Sequence, residues 1–207
     1  MIRGRFLTLE GIEGAGKSTS LEFVQQLLRS AAIPHLVTRE PGGTVLGEAL
    51  REIMLRADRT NICADSELLM MFAARAQHLA ERIRPALDEG MWVVCDRFTD
   101  ATYAYQGGGR GIPDERIRIL ENWVQGALRP DLTLLFDIPV DQGLARAGRR
   151  SAPDRFEREK QEFFERVRRH YLVAAAREPG RIRVIDGALT PGQVQDAIRV
   201  ILQEFLP

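Results

Sequence analysis

Five short runs stand out along the chain: Phe6-Leu7-Thr8-Leu9-Glu10, His35-Leu36-Val37-Thr38, Met91-Trp92-Val93-Val94-Cys95, Leu132 to Asp137, and Arg181 to Asp186. Met91 to Cys95 is apolar without a break, as a strand buried on both faces requires. Between these runs the apolar positions recur at three and four. Leu21, Val24, Leu27 and Leu28 do so within Thr19 to Arg29, and Ile117, Leu120, Val124 and Leu128 within Pro113 to Leu128. Further helices are predicted from an N-cap at Thr44 to about Ala57, from about Asp65 to Glu89 with a bend before Pro85, and from Val140 to about Arg149. Two more cover Glu157 to Arg177 and Pro191 to Leu206. Gln106-Gly107-Gly108-Gly109-Arg110-Gly111 is read as a loop, because so much glycine works against a helix. Strands alternating with helices predict an α/β fold, a five-stranded parallel sheet flanked by helices on both faces. Ligands then bind at the C-terminal strand ends.

The first strand runs into Gly11-Ile12-Glu13-Gly14-Ala15-Gly16-Lys17-Ser18 and then a helix. Strand, glycine-rich turn and helix together make a phosphate-binding loop, for which the spacing Gly, four residues, Gly-Lys-Ser is the signature. Glycines let backbone N–H groups converge on a phosphate chain, and the helix aims its positive end at the same point. Lys17 is placed to reach the terminal phosphates and the Ser18 hydroxyl to hold Mg²⁺. Asp96 closes the buried third strand, where a carboxylate serves the metal side of such a site. The plainer reading of Asp96 is a cap for the next turn. Arg146, Arg149, Arg150 and Arg155 flank Ser151-Ala152-Pro153. They are either a solvated basic face or an arginine-rich lid, at about 146–157, that closes over phosphates.

Composition narrows the function further. Lys plus Arg and Asp plus Glu are 29 each, which argues against a protein that coats nucleic acid. No run is long enough to span a membrane and no signal peptide is expected. Cys63 and Cys95 have no metal-type spacing and are expected to be reduced thiols. One domain is expected over residues 1–207. His35, His78 and His170 are scattered and receive no catalytic role.

The phosphate loop with Glu13, Thr38-Arg39-Glu40-Pro41-Gly42-Gly43, Phe72-Ala73-Ala74-Arg75, Asp96-Arg97-Phe98 and Ala104-Tyr105-Gln106-Gly107 occur in this order. As a set they resemble bacterial thymidylate kinase over essentially the whole chain. The resemblance implies a P-loop kinase fold, Mg²⁺-dependent transfer of the ATP γ-phosphate to dTMP, and a cytoplasmic homodimer. It implies that Glu13 contacts the sugar 3′-hydroxyl, that Arg39 and Arg97 attend the acceptor phosphate, and that Arg51 lies near the base. It implies that Arg75 donates to a thymine carbonyl, that Thr102 and Gln106 line the base edge, and that Tyr105 packs at C2′. An aromatic residue four before the base-reading Arg stacks on thymine in many members. Here that position is Met71 and the aromatic is Phe72, so either side chain is placed to cover the ring. The phosphate loop itself contains no Arg, so the catalytic Arg is expected from the lid, at Arg150 or Arg155.

Two other readings compete. A kinase for another deoxynucleotide or for a deoxynucleoside would keep the fold; paired Arg39 and Arg97 favour an acceptor that already carries phosphate. A nucleotide-dependent P-loop switch would need a guanine-reading Asn-Lys-x-Asp sequence, which the chain lacks.

Overall fold

A computed structural model describes residues 4–56, 62–148 and 154–206. Five strands, β1 (Phe6–Glu10), β2 (His35–Arg39), β3 (Trp92–Asp96), β4 (Leu132–Asp137) and β5 (Ile182–Asp186), form one sheet in the order β2-β3-β1-β4-β5. Every pairing is parallel. The innermost strand, β1, is buried throughout, whereas the edge strands β2 and β5 are not. Leu7, Leu9 and Val94 point into one core with Val24, Phe164, Val167 and Ile198. Phe6, Val93 and Cys95 point into the other with Leu79, Ile83 and Leu87. The period-2 alternation of a strand thus feeds two apolar layers, one on each face.

The helices are α1 (Lys17–Ser30), α2 (Val45–Leu55), α3 (Ala64–His78), α4 (Arg84–Asp88), α5 (Thr99–Thr102), α6 (Asp114–Gln125), α7 (Val140–Ala147), α8 (Gln161–Arg177) and α9 (Pro191–Gln203). Thr44 caps α2 as predicted, its hydroxyl accepting from Gly47 N at 3.0 Å. The bend foreseen before Pro85 takes the form of a π-helical turn, Leu79–Ile83, between α3 and α4. Proline lacks an N–H and crowds the carbonyl four residues back, and a widened turn relieves both.

The loop predicted at Gln106 to Gly111 needs correction. The chain continues from α5 into a π-helical turn, Tyr103–Gly109. The glycines serve close packing here. A Cβ at Gly108 would lie 2.8 Å from His170 Cβ and 3.0 Å from the Arg166 carbonyl oxygen on α8. A Cβ at Gly109 would lie 2.4 Å from the Phe163 ring. Arg166 Nη2 donates to the Gly109 carbonyl at 2.8 Å. Helical backbone can come this near to α8 only where side chains are absent, so tertiary packing overrides the poor helix propensity of glycine.

Gly108→Ala separates these two effects. Helix propensity alone favours Ala by about 1 kcal/mol, whereas overpacking against backbone costs ~1–3 kcal/mol. The urea midpoint is expected to fall. Gly192→Ala, on α9 with nothing near its Cβ, is the control and is expected to hold or raise it.

Candidate functional site

The phosphate loop leaves β1 and enters α1 at Lys17 through Gly16. Gly14 has φ +72°, and a Cβ there would sit 1.9 Å from the Gly143 carbonyl oxygen, so the loop is pressed against α7. Ile12 and Ala15 turn inward and anchor the loop in the core, and Gly11 lends its carbonyl. Lys17 Nζ donates to the carbonyls of Gly11 at 3.0 Å and Ile12 at 2.9 Å. Burial, with Arg97 adding repulsion, pulls its ammonium down to about 8.

One cavity is lined by Glu13, Gly14, Lys17, Ser18, Arg51, Met71, Arg75, Asp96, Arg97, Thr102, Tyr105 and Gln106. The loop and the ends of β2 and β3 therefore converge as the topology requires. Arg97 follows β3 with φ +67°, a left-handed conformation that a non-glycine residue holds at a cost of ~1–3 kcal/mol. Its guanidinium donates to Glu13 Oε1 at 2.9 Å and to the Gly11 carbonyl at 2.9 Å, and lies over the Tyr105 ring. The Tyr105 hydroxyl donates to the same Glu13 carboxylate. Glu13 is thus aimed by two neighbours. Asp96 Oδ1 is buried and has no hydrogen-bond partner among the described residues. A hard oxygen of this kind, lining a cavity shared with Ser18, fits one protein ligand of a Mg²⁺ that takes its other ligands from phosphate and water.

Arg75 is fully buried, held between the rings of Phe72 and Phe98. Its Nε donates to Glu40 Oε2 at 2.7 Å and its Nη2 to Thr102 Oγ1 at 2.9 Å. Its Nη1, also buried, has no partner among the described residues. Gln106 Nε2 donates to Glu67 at 2.8 Å. Of the two candidates to cover a base, Met71 lines the cavity. Phe72 is buried with Leu68, Ile112 and Ile117 beneath Arg75 and does not line it.

Two arginines fall elsewhere than predicted. Arg39 is 53% exposed, pairs with Glu48 at 2.8 Å and does not line the cavity. Arg155 also lies off the cavity. It bonds the buried Glu67 carboxylate and donates to the Met54 carbonyl at 2.9 Å. Glu67 is fully buried, and an ionised carboxylate there requires cations; Arg155 and Arg110 supply them. Arg150 lies outside the described residues. Arg146 donates to the Gly187 carbonyl at 2.7 Å.

Sequence reasoning missed Glu10, Glu40, Glu67 and Tyr171. Glu10 ends β1 fully buried, accepting from Phe98 N at 2.7 Å and from the Tyr171 hydroxyl at 2.7 Å. Burial, with Asp100 nearby, pushes its carboxyl up to about 8. An acid inside a buried apolar strand was a legible signal; the partners on α3 and α8 were not.

The sequence profile of the family described as Thymidylate kinase matches residues 9–198. The thymidylate kinase of Alkalilimnicola ehrlichii is 56% identical over 207 residues, covering 100% of this chain and 94% of that protein. That of Pseudomonas entomophila is 57% identical over 203 residues, covering 98% and 97%. The crystal structure of thymidylate kinase from Ehrlichia chaffeensis superposes with a TM-score of 0.79 at 32% identity, covering 97% of this chain and 99% of that one.

Glu10 generates a pH dependence of stability. Its folded pKa is raised from 4.5 to about 8, so between those values the folded state holds a proton that the unfolded state has released. Stability is present in full below the lower value and is lost as pH rises to the upper, by up to about 1.4 kcal/mol per pH unit. Urea unfolding of the native protein and of Glu10→Gln across pH 5 to 9 tests this. The variant is expected to gain on the native protein as pH rises; parallel curves would rule out titration of Glu10 in that window.

Proposed function

The chain belongs to the thymidylate kinase family and catalyses ATP-dependent phosphorylation of dTMP to dTDP, and from that premise we propose how its residues share the reaction. The observation that carries the assignment is one cavity lined both by the phosphate loop and by Arg75, whose buried Nη1 has no partner among the described residues. The loop N–H groups from Gly11 to Ser18 hold the ATP phosphates. Lys17 exchanges its bonds to the Gly11 and Ile12 carbonyls for stronger, charge-assisted bonds to phosphate oxygens. Ser18 and Asp96 would hold Mg²⁺, which would offset charge on the phosphates. The acceptor phosphate lies against Arg97, with Arg51 adding positive charge to the cavity; Arg39 joins only by releasing Glu48.

An oxygen of the dTMP phosphate attacks the γ-phosphorus, the bond from that phosphorus to the β–γ bridging oxygen breaks, and ADP departs with the electron pair. Glu13, fixed by Arg97 and Tyr105, receives the sugar 3′-hydroxyl. The Tyr105 ring stands at C2′ and leaves no room for a ribose hydroxyl. Arg75 Nη1 donates to a thymine carbonyl, Thr102 and Gln106 line the base edge, and Met71 covers the ring with a polarisable thioether. Residues 1–207 act as one unit whose lid spans about 146–157.

The reading of Arg150 as the lid arginine stands on sequence. Arg155, committed to Glu67, latches the lid flank to α2 and α3. Arg150→Ala is expected to lower kcat by ~10³-fold or more, with KM for dTMP changed less than about threefold. Arg155→Ala strips one of two cations from a buried carboxylate that keeps Arg110, so its effect is expected in stability, ~1–3 kcal/mol. Equal kcat losses in both, with equal stability, would return Arg155 to the reaction.

The protein is further proposed to work as a cytoplasmic homodimer. No helix among the described residues is long and apolar enough to cross a membrane. Helices α2, α3 and α6 pack side by side and expose Ile53, Leu69, Ile119 and Trp123, the last at 81%. Exposed aromatic and aliphatic side chains on three neighbouring helices fit a self-complementary contact about a two-fold axis. Trp123→Glu is expected to convert the dimer to monomer in light scattering; an unchanged mass would place the contact on another face.

A further inference from the structure

Arg75 is held by further polar side chains, one of them Glu40 at the cavity wall, for which the reaction as described has no use. Glu40, at the turn after β2, is buried and presents both carboxylate oxygens to different partners. Oε2 accepts from Arg75 Nε at 2.7 Å, and Oε1 faces His78 Nδ1 at 2.9 Å. An ionised carboxylate only accepts, so His78 carries a proton on Nδ1. The opposite ring nitrogen, Nε2, lies 2.6 Å from Thr38 Oγ1 on β2. His78 is fully buried. Its ring is also confined by the turn after β2, since a Cβ at Gly43 would sit 2.5 Å from Nε2 and 2.7 Å from Thr38 Oγ1. Thr38, His78, Glu40 and Arg75 therefore form one chain of contacts, from a hydroxyl on a sheet strand to Arg75, which lines the cavity and whose buried Nη1 has no partner among the described residues.

Charge balance alone does not account for this chain. Glu40 by itself neutralises Arg75, and His78 adds no charge that the pair requires. What His78 adds is direction. A carboxylate can rotate and slide along a guanidinium, and a second bond to a rigid, packed ring removes that freedom. With Nε fixed by Glu40 and Nη2 fixed by Thr102, the planar guanidinium has one orientation, and Nη1 one target.

We propose that His78 and Glu40 are positioning residues that aim Arg75 Nη1, and so set discrimination between a pyrimidine with a carbonyl and one with an amino group at the position Nη1 addresses. This rests on the reading that Nη1 donates to the base. Thymine presents an acceptor at O4 and cytosine a donor at N4. A fixed donor accepts the first and opposes the second; a donor free to swing opposes neither strongly. Sites built around a hydrogen bond to the correct group owe their selectivity to this kind of rigidity.

The test compares kcat/KM for dTMP, dCMP and dUMP in the native enzyme and in His78→Leu, His78→Asn, His78→Gln and Arg75→Lys. Asn places an amide N–H near the position of Nδ1 and keeps the bond to Glu40. Gln reaches toward Thr38 and loses it. His78→Leu and His78→Gln are expected to lower the dTMP/dCMP ratio about tenfold or more, and His78→Asn is expected to keep it. The dTMP/dUMP ratio, which reports the methyl group, should stay level throughout. If His78→Leu does not fold, the Asn and Gln pair decides the matter. An unchanged dTMP/dCMP ratio in the Gln variant, with a lowered one in Arg75→Lys, overturns the positioning role and leaves the reading of Arg75 intact. An unchanged ratio in Arg75→Lys overturns that reading and the inference together. Equal losses in the Asn and Gln variants would show that His78 serves packing alone.

Discussion

The Glu13 carboxylate and the Arg97 guanidinium meet at 2.9 Å, both largely withdrawn from water. The site is arranged around the constraint that contact exposes. An ion withdrawn from water costs several kcal/mol unless the protein returns its hydrogen bonds. Each charged group that a phosphate or a base could use must therefore be balanced within the chain. Arg97 is balanced by Glu13 and the Gly11 carbonyl, Lys17 by two loop carbonyls, and Arg75 by Glu40 and Thr102. Among the described residues lining the cavity, two buried side-chain atoms escape this rule, Arg75 Nη1 and Asp96 Oδ1. One is a donor and the other an anionic acceptor, which suits a base carbonyl and a metal ion.

The same constraint explains the fate of Arg155. A lid arginine that meets charge in the transition state must be free of a buried counter-ion beforehand. Arg155 is bound to Glu67, a fully buried carboxylate that also holds Gln106 and Arg110. It is better placed to fasten its own segment to α2 and α3 than to meet a transferred phosphoryl group.

Glycine does two different things in this molecule, and only one is visible in a motif. At Gly14 the backbone has positive φ and touches the α7 backbone, as a phosphate loop demands. At Gly108 and Gly109 the backbone is helical, and the missing side chains let a π-helical turn rest on α8. That contact brings Tyr105 and Gln106 to the cavity wall.

The strands, their parallel arrangement and the phosphate loop were legible in the chain, because each depends on local pattern: unbroken apolar runs, three-and-four spacing, and a glycine-rich turn between strand and helix. Asp96 and Arg97 were legible as strand-end residues for the same reason. Which buried acid holds which arginine was decided only by the fold. Glu40 lies 35 residues from Arg75, Glu67 lies 88 from Arg155, and Glu10 lies 161 from Tyr171, and no periodicity carries pairing over such separations. Packing likewise put Met71, and not Phe72, among the residues lining the cavity. Neighbours on one helix differ by about 100° in direction, and only the position of α6 and the turn before it shows that Phe72 packs into the core while Met71 lines the cavity.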